Sequence, residues 1–393
     1  NPAPTTSTLT GPPASTIYGQ PAVFTATVAA QPLQSQGTRP QPALPGGQVH
    51  FFEGLTFLGS GALIDGATHF TGSVWSGGVH TLTALYLGDS NYLTSTAATT
   101  HTVQPLAPVV SLAAAPNPSL YQQVVTFTAT VPAPSAGLAA PAGQVSFQTG
   151  ATMLGVAALT NGVAAVATSS LPGGDHAITA HYGGDANYQA GVSGALTQTV
   201  LYQVQVAADL AAGGAVAGGG LYAHGATVIV TATAGSSYTF TRWVEGGQPV
   251  AATAVYSFTA AGHRALMAVF TPLPQPLAFN DAAGVLEGEA VDVAVLANDH
   301  DLAGGGLTVV AITPPSQGTA SINPDGQRVH YAAPLGHSGL VSLTYTVQDV
   351  NDQQSRGLLA IDVTALRETD VAPQIAVIDP AVQSTQHFTS SQA

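Results

Sequence analysis

The sequence predicts an all-β chain of tandem sandwich modules forming an elongated beaded rod, with one smaller β-rich module among them. Three observations predict it. A phrase recurs at domain length, since "HTLTALYLGDSNYLTSTAATTHTV" at 80–103 returns as "HAITAHYGGDANYQAGVSGALTQTV" at 176–200. Apolar residues alternate with Thr at a period of two, the mark of half-buried strands, and hardly any stretch has helical spacing. The 44 Gly and 27 Pro among 393 residues supply many turns.

His80 matches His176, Tyr86 matches Tyr182, Asp89 matches Asp185 and Tyr92 matches Tyr188, each 96 positions apart. That period exceeds the roughly 20–50 residues of a solenoid repeat and approaches the ~100 of a sandwich domain. The repeating unit is a whole domain. Upstream, "VFTATV" at 23–28 and 126–131 places Phe24, Ala26 and Val28, and then Phe127, Ala129 and Val131, on one face of a strand. "GQVHF" at 47–51 and "GQVSF" at 143–147 add a second strand to each copy. The first copy carries seven extra residues between these two strands, including Gln-Gly-Thr-Arg-Pro-Gln-Pro, a loop insertion by composition. The recurring strand then follows, with His80, Leu82, Ala84 and Tyr86 on one face. "GDSNY" and "GDANY" mark the turn into the last strand, where Gly supplies a positive φ and Asp and Asn bond the turn backbone. Before that strand, "WSGGVH" at 75–80 and "LPGGDH" at 171–176 are similar to the approach to a tyrosine corner, with His in the place of Tyr.

These residues carry a resemblance. Segments 16–103 and 119–200 resemble the Ig-like domain repeats of bacterial cell-surface and secreted proteins, through Gly-Gln-Val-x-Phe, the Leu-Gly pairs at 58–59 and 154–155, His-x-(Leu/Ile)-Thr-Ala-x-Tyr and Gly-Asp-x-Asn-Tyr. The first copy departs at Trp75, where the second has Leu171. Segment 202–271 resembles the divergent B-repeat of Listeria-type internalins, through its Gly-rich turn, Tyr222, Gly225, Phe240-x-x-Trp243 and Ala268-Val-Phe270. Trp243 and Phe240 are expected in its core. Segment 277–364 resembles a cadherin-like or tandem bacterial Ig domain, with Asn280-Asp281, Glu287-Gly-Glu289 and Val295-Leu-Ala-Asn298-Asp299.

The expected organisation is therefore 1–105 and 106–200 as Ig-like repeats, 201–273 as the B-repeat module, 274–365 as the last Ig-like module, and 366–393 as a tail. "VQPLAPVV" at 103–110 and "TPLPQP" at 271–276 read as extended, semi-stiff linkers, whereas almost none separates Val200 from Tyr202.

Charge narrows the function. Charged residues make up 7% of the chain, all six basic residues are Arg, and there is no Cys. Without Lys or Cys, the chain forms no Lys–Asn isopeptide link, disulfide or thiolate metal site. A net charge of −14 with scattered Arg argues against nucleic acid. No run of 18 or more apolar residues exists to span a membrane, and no secretory signal opens the sequence. The chain lacks Gly-x-Ser-x-Gly, His-Glu-x-x-His and a phosphate-binding Gly-Lys loop, so no enzyme is expected.

Calcium is the one cofactor weighed, with Asp281, Asp299, Asp301, Asp349 and Asp352 as hard-oxygen ligands. Turn capping is the competing role for these side chains. The expected function is a non-catalytic extracellular stalk or filament subunit of a bacterial-type surface, self-associating or bound to other surface proteins. Alternatives are an adhesin or an appendage of a secreted enzyme. In the tail, Ile375, Val377 and Ile378 lie between Pro373 and Pro380 in a segment apolar on both faces, a candidate donor strand for a neighbouring sheet edge.

Overall fold

The computed structural model describes residues 2–31, 43–72 and 75–366. Every helix or strand among them is a β-strand. The chain divides into two compact units: residues up to Val204 with Gly219–Val228 and Ser257–Arg264, and Gln205–Gly218 with Ile229–Tyr256 and the residues from Ala265 onward.

The first unit contains two sandwiches. In the first, strands Thr5–Thr10, Ala22–Ala30 and Ala67–Gly72 form one sheet. The other sheet runs Thr16–Ile17, Ser95–Gln104, Gly78–Tyr86, Gln48–Glu53, Thr56–Ala62. In the second sandwich, Ser111–Ala115, Val125–Thr130 and Val163–Thr168 form the smaller sheet, and Thr152–Ala158, Gln144–Thr149, Gly174–Tyr182 and Leu196–Ala208 run in order in the larger. The period-two pattern decides which side chains meet between the sheets. Phe24, Phe51, Leu82 and Tyr86 are fully buried in one core, and Phe127, Phe147, Ile178 and Tyr182 occupy the equivalent places in the other. Each such side chain contributes about 1.5–3 kcal/mol by leaving water.

His80 is buried, with Nδ1 2.7 Å from Glu53 Oε1 and Nε2 2.8 Å from Ser76 O. His176 is half-buried, and its Nε2 lies 2.8 Å from Pro172 O. Both rings reach a carbonyl four residues back, as the hydroxyl does in a tyrosine corner. Trp75 packs on His80 at 5.0 Å, filling the space that Leu171 takes in the second copy.

The stretch 103–110 is less of a free linker than its prolines imply. Leu106 N donates to Asn187 O and Gln189 N donates to Leu106 O, which ties it to the second repeat's turn. Leu196–Ala208 is 13 residues long because it continues past the repeat, and Leu201–Val204 pair antiparallel with Gly220–Ala223.

In the second unit, Tyr238–Glu245 pairs with Leu266–Pro272 and with Gln248–Ala251, and Gly214–Ala217 pairs with Thr231–Ala234. Trp243 is fully buried, its indole N–H donating to Ala254 O at 3.2 Å. Further along, Asp281–Leu286, Gln354–Thr364, Gly339–Gln348 and Thr308–Ile312 form one sheet, and Ala290–Val293, Val329–Ala332 and Thr319–Ile322 another. Tyr331, Val341, Tyr345 and Ile361 are buried in the core of this sandwich.

Candidate functional site

Three places gather chemistry that the fold alone does not require. The first is the joint between the two repeats. Ala139 is clamped there by two tyrosines: its N–H donates to Tyr18 Oη at 2.8 Å, and Tyr188 Oη donates to its carbonyl at 2.9 Å. The two phenol rings meet edge to face at 5.5 Å. Gly77 N donates to Asn187 Oδ1 at 2.8 Å, so the Asn of "GDANY" holds the preceding repeat rather than its own turn. A Cβ on Gly77 would stand 1.8 Å from Ala186 O, which makes Gly the one residue this approach admits. Its neighbour Gly78 has φ +135°, so the Gly-Gly pair serves contact first and conformation second.

The acids of these turns stay local. Asp89 accepts from Gly46 N and Asn91 N, and Asp185 accepts from Ala142, Asn187 and Tyr188 N. Burial pushes both carboxyls up, but these N–H bonds outweigh it and hold them below the usual aspartate value. Burial first, and then the Asp89 charge, push the Tyr86 phenol up to about 12.

The second place is an aromatic cluster on the hairpin of Gln48–Glu53 and Thr56–Ala62. His50 and Phe57 meet at 5.2 Å and Phe52 and Phe57 at 5.6 Å, with Phe57 54% exposed and Leu55 at the tip wholly exposed. The second repeat has Ser146, Gln148, Met153 and Ala151 in these positions. The sandwich therefore does not require the aromatics.

The third is the acidic set. Asp281 and Asp299 converge on Tyr345, whose hydroxyl lies 2.7 Å from Asp281 Oδ2, 3.2 Å from Asp299 Oδ1, and against the carbonyls of Phe279 and Val295. Phe279 N donates to Asp299 Oδ1, and Asn298 Nδ2 to Asn280 O. The two Asn-Asp motifs thus form one clasp around a buried phenol. Burial raises both Asp281 and Asp299 above the usual carboxylate range, against the hydrogen bond from Tyr345. The other three are not drawn in. Asp301 accepts from Ala303, Gly304 and Gly306 N, Asp349 Oδ1 from Asn351 and Gln353 N, and Asp352 Oδ1 from Gln348 Nε2. Among the described residues no three His, Asp or Glu side chains gather to hold a metal ion. The tyrosine hydroxyl fills the space between the one converging pair, so the set does not fit a calcium cage.

Comparison with protein families assigns most of the chain. The model described as "Bacterial Ig-like domain (group 3)" matches residues 9–104 and 112–201, "Bacterial Ig domain" matches 274–362, and "Divergent InlB B-repeat domain" matches 202–274. The chain is a bacterial Ig-like repeat protein. No curated protein matches this Ig-like repeat protein by sequence. Among solved structures it is similar to invasin, a bacterial integrin-binding protein, at 14% identity and TM-score 0.34, covering 92% of this chain and 60% of that one. It is also similar to a tetra-tandem repeat in the extending region of a large adhesion protein, at 15% identity and TM-score 0.31, covering 92% and 100%. Fibronectin(III)-like modules of Clostridium thermocellum CbhA match at 18% identity and TM-score 0.20, covering 49% and 92%.

One arrangement in the Ig-like repeat protein escaped sequence reading. Asp292, His330 and Ser321 line up across three strands, with His330 Nδ1 2.7 Å from Asp292 Oδ1. The hydrogen bond from His330 holds the Asp292 carboxyl low. Their order is that of a hydrolytic triad, yet no hydrogen bond joins Ser321 to His330 among the described residues, and the His and Asp side chains are 44% and 46% exposed. Ile375, Val377 and Ile378 lie outside the described residues. No helix among the described residues is long and apolar enough to cross a membrane.

Proposed function

We propose that this Ig-like repeat protein is a non-catalytic extracellular spacer of a bacterial-type surface, a stalk or filament subunit whose modules join directly. The observation that carries this reading is the joint itself, with Ala139 clamped between Tyr18 and Tyr188 and Gly77 bonded to Asn187. A spacer transmits reach only if successive modules keep a fixed relation, and side chains specific to the joint serve that end. Negative-stain microscopy of the purified chain tests it: beads at constant spacing are expected, and collapsed or randomly bent chains would overturn it. Assembly through Ile375, Val377 and Ile378 rests on their sequence pattern, and deleting 366–393 should abolish multimers while leaving the modules folded.

The aromatic hairpin favours a second reading, adhesion through the first repeat. Exposed aromatics in mutual contact are the surface chemistry of binding sites. Replacing Phe52 and Phe57 by Ala should abolish adhesion of particles coated with the chain to host or matrix surfaces, with little change in melting temperature. Unchanged adhesion would remove this reading.

A further inference from the structure

The joint has two halves, and the first repeat carries one of them whose asparagine side chain has no partner among the described residues. In the second repeat, the receiving half is Asn187 with Tyr188 and Ala139, occupied by Gly77 and Tyr18 of the repeat before it. The first repeat builds the same half from Asn91, Tyr92 and Ala43. Tyr92 Oη donates to Ala43 O at 2.7 Å just as Tyr188 Oη donates to Ala139 O at 2.9 Å. The chain enters both sites alike: Ala3 N bonds Asn91 O and Leu93 N bonds Ala3 O, as Leu106 N bonds Asn187 O and Gln189 N bonds Leu106 O. Pro2 precedes Ala3 as Pro105 precedes Leu106. Yet Asn91 and Ala43 are exposed, and among the described residues no hydrogen bond engages the Asn91 side chain. Leu44, beside them, is 62% exposed.

We infer that the Asn91–Tyr92 end of the first repeat is an open joint that receives the Gly-Gly end of a further Ig-like repeat. The occupant is defined by what fills the equivalent site on this chain. It must bring a Gly whose missing Cβ lets its N–H reach the Asn carboxamide, and a Tyr to lie against Tyr92 and take the Ala43 N–H. Neither Gly-Gly end of this chain's two repeats is free to fill it: Gly77 is engaged by Asn187, and a Cβ on Gly173 would stand 2.3 Å from the Tyr202 ring that follows the second repeat. The partner is therefore another repeat of the same type. Asn91 is the specificity-determining residue, since the backbone around it already serves its own turn.

The experiment adds a copy of residues 1–103 ahead of the full chain, so that Val103-Asn1-Pro2-Ala3 reproduces the spacing of Val103-Gln104-Pro105-Leu106. Because the chain has no Cys, two introduced cysteines label one joint cleanly. Ala98→Cys in the added and the original first repeat reports the new joint, and Ala98→Cys with Ala195→Cys reports the native one. Spin-label distance distributions should be equally narrow for both, and Asn91→Ala in the receiving repeat should broaden the new joint alone. That substitution removes an exposed, unengaged side chain, so the repeat stays folded. A broad new joint beside a narrow native one overturns the inference and leaves the spacer reading standing. A narrow new joint indifferent to Asn91→Ala also overturns it, by showing that the short tether sets the distance. A broad native joint sinks the spacer reading itself.

Discussion

Asp89 and Asp185 on one side, and Asp281 and Asp299 on the other, are aspartates of opposite sign in their effect on stability. The first two are held below their ordinary value, so they contribute stability above that value which is lost as pH falls through the lowered one. The second two are raised by burial, so in the window above the ordinary value the folded state holds protons that the unfolded state has shed. Their contribution is therefore present at low pH and lost as pH rises through the raised value. As pH falls from neutrality toward the ordinary aspartate value, amide protection factors across Phe279–Asp299, corrected for intrinsic exchange, should rise, and Asp281→Asn should flatten that dependence. A clasp whose protection factors ignore pH would contradict this account. Calcium should leave the melting of this sandwich unchanged, as scanning calorimetry with and without chelator would show. Trp243→Ala, in a fully buried site, should cost about 3–5 kcal/mol and melt its module first. The indole was legible in the sequence because an aromatic pair in a Gly-rich β segment has few other uses. The clasp was not, because sequence shows two Asn-Asp motifs but not the tyrosine 46 positions beyond Asp299 that draws them together.

Strands were the most legible elements, since period two survives wherever one face is buried and the other wet: Val125–Thr130 alternates buried and half-buried without a break. The joint was illegible because its parts are turns, and a turn residue's second partner lies in another module. Asn187 reads from sequence as a turn former, as its twin Asn91 does, and nothing in either turn shows that the Asn187 carboxamide reaches Gly77 of the repeat before it. Gly77→Ala tests the point. Its Cβ would strike Ala186 O, so about 1–3 kcal/mol of overpacking strain should fall on the joint while both sandwiches keep their cores. Loss of Gly77 amide protection without loss of core protection is the expected exchange pattern. The edge strands pose a different problem. Thr56–Ala62 and Thr152–Ala158 end their sheets, contain no charge or proline, and leave Phe57 and Met153 more than half exposed. Such edges invite pairing with another chain. Met153→Lys should lower self-association in sedimentation equilibrium with the melting temperature unchanged.

For the whole molecule, low charge and the absence of Lys and Cys leave burial, backbone pairing and uncharged side-chain hydrogen bonds as the main ties. The strand Leu196–Ala208 carries that economy furthest. Its first part closes a sandwich by pairing with Gly174–Ile178, and Leu201–Val204 already pair with Gly220–Ala223. There is consequently no exposed segment between these modules for a protease to grip, and limited digestion should spare 200–202. Nor is there a seam at which recombination could excise one repeat cleanly. A deletion ending at Val200 would cut this strand in two and leave the next module only its second part, whereas at the turn-stitched boundary near Leu106 a whole sandwich can be spliced without dividing a strand.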